Sequence, residues 1–183
     1  MMVAMVPASF DPPRTQRLAS FQLAVLGPAF AEQDHLAVRR SADRIRHVFG
    51  PADTWPDATI SWQENHADLV RHEREFNGRI AFAYALLDLR GEAYLGCLYL
   101  RPIKSVQGGD RRPQLYQAQA FLWLSVLQSA VTDMQALAEI RAWLGERWPF
   151  ASVAWPGREP GWAAWQAMAD PDCRGAGQPT LPR

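Results

Sequence analysis

Residues 115–155 read LYQAQAFLWLSVLQSAVTDMQALAEIRAWLGERWPFASVAW. Over Leu115–Val126 the chain alternates. Its odd positions (Leu115, Gln117, Gln119, Phe121, Trp123, Ser125) make a mixed face, and its even positions (Tyr116, Ala118, Ala120, Leu122, Leu124, Val126) a small apolar one. That is the pattern of a central strand covered on both sides. Thr132 with Gln135 three residues on is a capping-box signature. Met134, Leu137, Ile140, Leu144 and Trp148 then recur at helical spacing until Pro149 stops the helix. Ser152–Trp155 is a second, short strand, so strand, helix and strand require a parallel crossover at 115–155.

Upstream lie two further strands, Ile80–Leu87 and Glu92–Leu100, joined by Asp88-Leu89-Arg90-Gly91 with hairpin chemistry. Gly96 interrupts the second of them, where glycine marks a bulge or a close backbone approach. Before the hairpin, Trp62, Leu69 and Phe76 recur every seven residues and define a helix ending at Asn77-Gly78. Glu64, Asp68, Arg71, Arg74 and Glu75 are its solvated side. Ala31–Phe49 is another helix, stopped by Gly50-Pro51, and Phe21–Leu26 a first strand. Residues 1–18 are expected as a loose arm, 101–114 as a mobile loop whose four basic residues serve solubility, 162–169 as a last helix and 170–183 as a flexible tail. One domain over 19–169 results, an α/β fold with a mixed sheet flanked by helices.

The 183 residues suffice for one domain with a real core. The chain is 48% hydrophobic with eight Trp and eight Phe, so it is globular rather than disordered. Nineteen basic residues balance nineteen acidic ones, and without a net field neither nucleic acid nor an anionic membrane is an expected partner. The longest apolar run, Ile80–Leu87, is too short to span a bilayer, and Met1–Phe10 lacks the features of a secretion signal. Two cysteines, Cys97 and Cys173, form neither a disulfide scaffold nor a metal site. A soluble, cytoplasmic domain is expected, with no metal and with a homodimer left open.

The familiar catalytic and nucleotide motifs are absent: no G-x-G-x-x-G, no P-loop and no G-x-S-x-G. His66 and His72 are six apart, off the spacing that puts two ligands on one helix face. Each histidine reads as structural, Cys97 as a small core hydrophobe, and Trp143, Trp148, Trp155, Trp162 and Trp165 as core. What remains is the strand-to-helix junction at Val126–Met134, whose free N–H groups and positive dipole end make a phosphate seat.

The element order, FAYALLDLRGEAYLGCLYL at 82–100 and the long strand feeding a helix at 115–147 resemble the GNAT superfamily of acyl-CoA-dependent N-acyltransferases. A closer similarity is to an uncharacterised bacterial branch that shares the hairpin and Trp143-Leu144, Trp148-Pro149-Phe150, Val153–Glu159, Trp162 and Trp165. The match spans about residues 20–166. It implies transfer of an acyl group from acetyl-CoA to a small-molecule amine; the alternative is an inactive module that keeps the fold to bind a ligand or partner.

The family's phosphate loop, [RQ]-x-x-G-x-[GA], falls on Ser129, Thr132 and Met134, with a further frequent glycine position on Ala130, and carries no glycine here. The resemblance places the diphosphate at the amides of Ser129, Ala130, Val131, Thr132 and Asp133, and pantetheine along the strand at Trp123, Leu124 and Val126. The tyrosine acid that many relatives carry on the last helix is missing from 158–169. Glu73 is the carboxylate expected nearest the sheet, as a base or as a structural partner of an arginine.

Overall fold

A computed structural model describes residues 4–105 and 108–170. Six strands form one sheet in chain order: β1 (Thr15–Arg17), β2 (Gln22–Val25), β3 (Phe82–Leu87), β4 (Tyr94–Arg101), β5 (Ala118–Leu124) and β6 (Val153–Ala154). Neighbours are antiparallel from β1 to β5. Strands β5 and β6 are parallel, Ala118 facing Val153 and Gln119 facing Ala154. The mixed sheet and the crossover expected at 115–155 are both present.

The helices are α1 (Ala31–Ile45), α2 (Trp62–Asn77), the single turn α3 (Arg112–Leu115), α4 (Asp133–Arg147) and α5 (Trp162–Ala169). Strand alternation sorts the core into two layers. Phe82, Tyr84 and Leu86 of β3 join Ile140, Trp143 and Leu144 of α4, whereas Ala83, Ala85 and Leu87 join Val38 and Ile45 of α1 and Leu69 of α2. Each large apolar side chain buried this way contributes roughly 1.5–3 kcal/mol, so both faces of the sheet need their helices. Capping boxes fix where α2 and α4 begin, at Ser61 with Glu64 and at Thr132 with Gln135.

The hairpin turns on Asp88, whose carboxylate accepts from the amides of Glu92 and Ala93 at 2.7 and 3.1 Å, and on Gly91 at φ 79°. Leu86 pairs with Gly96 and Leu87 with Tyr94, so Leu95 is an extra residue in the ladder. Gly96, at φ 153°, lies so close to β5 that a Cβ would sit 2.1 Å from the Trp123 carbonyl oxygen. It marks both a bulge and a close approach.

The structure departs from the sequence reading at several points. Residues 5–17, expected to be loose, are packed: the Met5 amide donates to the Arg79 carbonyl at 2.8 Å, Val6 is buried and Phe10 meets Trp148 at 5.2 Å. Arg79 also donates to the carbonyls of Pro7 and Phe10. The long strand is shorter than 115–126, because Arg112–Leu115 coils into α3 and the ladder ends at Leu124. The buried line of α2 is Asn65, Leu69, His72 and Phe76, while Trp62 lies exposed and stacked on His66. Met134, expected in the core, is 81% exposed.

The second half of the 101–114 loop is held by Arg112, paired with Asp110 at 2.8 Å and set over Trp165. Val106, Gln107 and the tail from 171 lie outside the described residues. Among those described, no helix is long and apolar enough to cross a membrane, and no cluster of three His, Cys, Asp or Glu side chains is placed to hold a metal.

Candidate functional site

Strand β5 runs into α4 through residues 125–132, which brings the expected cofactor residues together in one stretch. Trp123, Leu124 and Val131 are buried, Val126, Ser129, Ala130 and Thr132 are exposed, and Asp133 is the first residue of α4. The stretch satisfies much of its own backbone. The Val126 amide donates to Ser41 Oγ at 3.0 Å, Leu127 to Ser125 Oγ at 3.1 Å, Val131 to Gln128 Oε1 at 3.1 Å and Thr132 to Gln135 Oε1 at 3.1 Å. Side chains therefore already occupy two of the amides expected to meet a diphosphate.

A helix N-terminus attracts negative charge, and here Asp133 supplies it. Arg158 holds the Asp133 carboxylate through both terminal nitrogens, at 2.5 and 2.7 Å, and lowers its pKa. Nη2 of Arg158 also donates to the Leu122 carbonyl of β5 at 3.3 Å. The arginine comes from the tight turn after β6, closed by the Trp155 amide on the Glu159 carbonyl at 3.0 Å. Its guanidinium thus bridges the gap that opens where β6 stops and β5 continues.

This donor set suits an anion but holds one of its own. A diphosphate would have to displace the Asp133 carboxylate from Arg158, which with the amides of Ser129, Ala130 and Asp133 would then supply the donors. A pantetheine arm laid along β5 would compete with Arg158 for the Leu122 carbonyl.

On the helix-pair side of the sheet, α1, the 49–55 segment, α2 and β4 enclose a cavity of about 280 Å³. Its floor is a buried polar network centred on Asp34, which is 3% exposed. Asn65 Nδ2 donates to Oδ2 at 2.8 Å, Tyr94 donates to Oδ1 at 2.5 Å, and Cys97 Sγ lies 3.6 Å from Oδ1. Burial outweighs these three donors and raises the Asp34 pKa. Burial likewise pushes Tyr94, Cys97 and Tyr99 well up, so all three stay neutral.

The Tyr99 hydroxyl accepts from Trp123 Nε1 at 3.3 Å, which ties the cavity wall to β5. His72 lines the cavity with its ring 5.4 Å from Tyr99 and Nδ1 3.7 Å from the Glu75 carboxylate. Arg71, held by Asp68 at 2.9 Å and Glu75 at 3.4 Å, and Arg101 complete the rim.

Glu73 does not line this cavity. Its carboxylate packs on Gly27, 3.1 Å from where a Cβ would project, and forms no ion pair among the described residues. Sequence reasoning missed Asp34, His72, Arg101 and Arg158. Two had a signal: Asp34 shares the buried stripe of Ala31, Val38, Ser41 and Ile45, and His72 that of Leu69 and Phe76.

Neither a protein-family model nor a curated protein matches the chain. Solved structures do. A ribosomal L7/L12 alpha-N-protein acetyltransferase in complex with coenzyme A is similar over 73% of this chain and 69% of its own, at TM-score 0.54 and 14% identity. The ribosomal-protein-S5-alanine acetyltransferase from Vibrio fischeri matches over 85% and 81%, at TM-score 0.51 and 12% identity. An acetyltransferase from Agrobacterium tumefaciens matches over 97% and 91%, at TM-score 0.50 and 18% identity. With its mixed six-stranded sheet, its parallel β5–β6 crossover and these likenesses, the chain has the fold of the GNAT acetyltransferases.

Proposed function

We propose that the protein transfers an acyl group from a thioester of the acetyl-CoA kind to an amine seated in the α1–α2 cavity. The observation that carries this reading is the cavity itself, which gathers His72, Asp34 and Tyr99 against β4 and is tied through Trp123 to the strand that feeds α4. The likeness to acetyltransferase structures, one of them in complex with coenzyme A, supports it. The thioester, when bound, supplies an activated acyl group. Arg158 and the amides of Ser129, Ala130 and Asp133 would hold its diphosphate, and the backbone at Trp123 and Leu124 its arm. His72 would take the proton of the amine, with Glu75, 3.7 Å from its Nδ1, behind it to stabilise the imidazolium; help of this kind is worth roughly 10²–10⁴-fold. Helix α5 has no tyrosine to add, and Glu73, outside the cavity, takes no part.

Calorimetric titration of acetyl-CoA and CoA into the full chain tests the reading. Weak binding is expected for the native protein, and roughly tenfold tighter binding for Asp133→Asn, which frees Arg158 and removes a like charge from the seat. Acetyl transfer to a panel of amines should follow, and His72→Gln should slow it about a hundredfold while leaving acetyl-CoA binding in place. Absence of binding to both proteins would reject the reading.

The bridge from Asp133 through Arg158 to Leu122 favours a second reading, a ligand-binding module without transfer activity. It predicts that neither protein binds acetyl-CoA while the α1–α2 cavity still takes a ligand.

A further inference from the structure

Arg101 ends β4, and its guanidinium carbon lies 3.9 Å from the Phe49 ring centre, 5.2 Å from Tyr99 and 5.8 Å from Phe121. It lines the 280 Å³ cavity and a neighbouring one of about 370 Å³ bounded by Ile80, Pro102, Lys104 and Gln119. Among the described residues its guanidinium makes no hydrogen bond and no ion pair, while its backbone lies in the ladder opposite Gln119. The other partly buried arginines all do: Arg46 with Asp43, Arg71 with Asp68, Arg79 with the carbonyls of Pro7 and Phe10, Arg112 with Asp110 and Arg141 with Glu159.

Aromatic rings satisfy the face of a guanidinium but leave the five N–H donors on its edge. Burial is the main influence on Arg101 and lowers its pKa, with Arg71 adding to it and charge at Tyr99, Glu75 and Asp53 opposing it. Solvation alone would serve an arginine on an open surface; this one is set in an aromatic cage at the mouth of two cavities.

We infer that Arg101 anchors the carboxylate of a small zwitterionic ligand, of the amino-acid class, in the α1–α2 cavity. The charges around it select that class. Arg71 is held by Asp68 and Glu75, whereas Arg101, which lines the same cavity as Asp53, has no acid within ion-pair distance among the described residues. A carboxylate on Arg101 with an ammonium toward the surplus acids adds no net charge to this set, whereas a phosphate dianion would add two negative charges to a set already in excess of acid. Phe49, Trp55 and Leu69 offer an apolar wall for the body of the molecule. The inference rests on reading the cavity as the amine acceptor's seat.

The test is calorimetric titration of the full chain, without any thioester, with L-phenylalanine and L-leucine, with their carboxamides, and with inorganic phosphate. The free amino acids are expected to bind at least tenfold more tightly than the amides, and phosphate not at all. Arg101→Gln should weaken the acids by roughly ten- to a hundredfold and leave the amides unchanged, with its melting curve read alongside. If that variant does not fold, Arg101→Lys, which keeps the charge and loses the fork, should still weaken the acids several-fold. Equal binding of acids and amides, Arg101-dependent binding of phosphate, or no binding of any probe would overturn the inference. Binding of the acids without acetyl transfer defeats the transferase reading and leaves this one standing. Acetyl transfer to amines regardless of a carboxylate does the reverse.

Discussion

Gly96→Ala is expected to destabilise the chain by ~3 kcal/mol or more, a large share of the 5–15 kcal/mol typical of a domain. The new methyl group would sit 2.1 Å from the Trp123 carbonyl oxygen and 2.9 Å from Leu124 Cα, both backbone atoms that cannot swing aside. Overpacking of this kind costs about 1–3 kcal/mol, and φ 153° adds strain of similar size for a residue with a Cβ. Gly145→Ala in α4 is the contrasting case. Nothing lies within 4 Å of its added Cβ, so helix propensity should stabilise the protein by ~0.5–1 kcal/mol. Urea unfolding of the two variants reads both numbers. A native-like midpoint for Gly96→Ala would mean that β4 and β5 do not meet as described.

The second large effect is expected at Asp34, and it should depend on pH. Asp34→Ala strands the Asn65 amide and the Tyr94 hydroxyl in the interior, at about 1–3 kcal/mol for each orphaned donor. The folded state raises the Asp34 pKa above its ordinary 3.8, burial being the main cause. The folded protein therefore holds this proton more tightly than the unfolded chain does. The stability linked to it is complete below about pH 3.8 and fades as pH rises through the raised folded value. The gap between native protein and Asp34→Ala should accordingly be widest in mild acid and narrow toward pH 8. Denaturant titrations across that range check the sign, and a gap that widens with pH would refute the placement of Asp34.

Much of the architecture could be read from residue patterns because the patterns are periodic. Thr132 with Gln135 fixed the start of α4, the 80–100 hairpin was framed by Asp88 and Gly91, and Gly96 marked a bulge by lacking a side chain. The reading went astray where tertiary contacts overrule local signals. The segment before Leu18 looked loose because its anchors, Arg79 and Trp148, are far away in the chain. A seven-residue spacing drew attention to Trp62, whereas the true buried line is offset and includes two polar residues, Asn65 and His72. Arg101 reads as part of a basic loop, because nothing local announces that Phe49 and Phe121 converge on it. Arg158 was likewise silent, since its partners Asp133 and Leu122 come from the preceding helix and strand.

The lengths of the two outermost strands carry a consequence for how copies of this chain meet. β1 is three residues long and β6 two. Among the described residues, each outermost strand therefore offers a visiting strand only a few backbone groups, and the longer open stretch lies on β5 beyond β6, where Arg158 already reaches the Leu122 carbonyl. Brevity, at the two outermost strands, leaves another copy little backbone to join there.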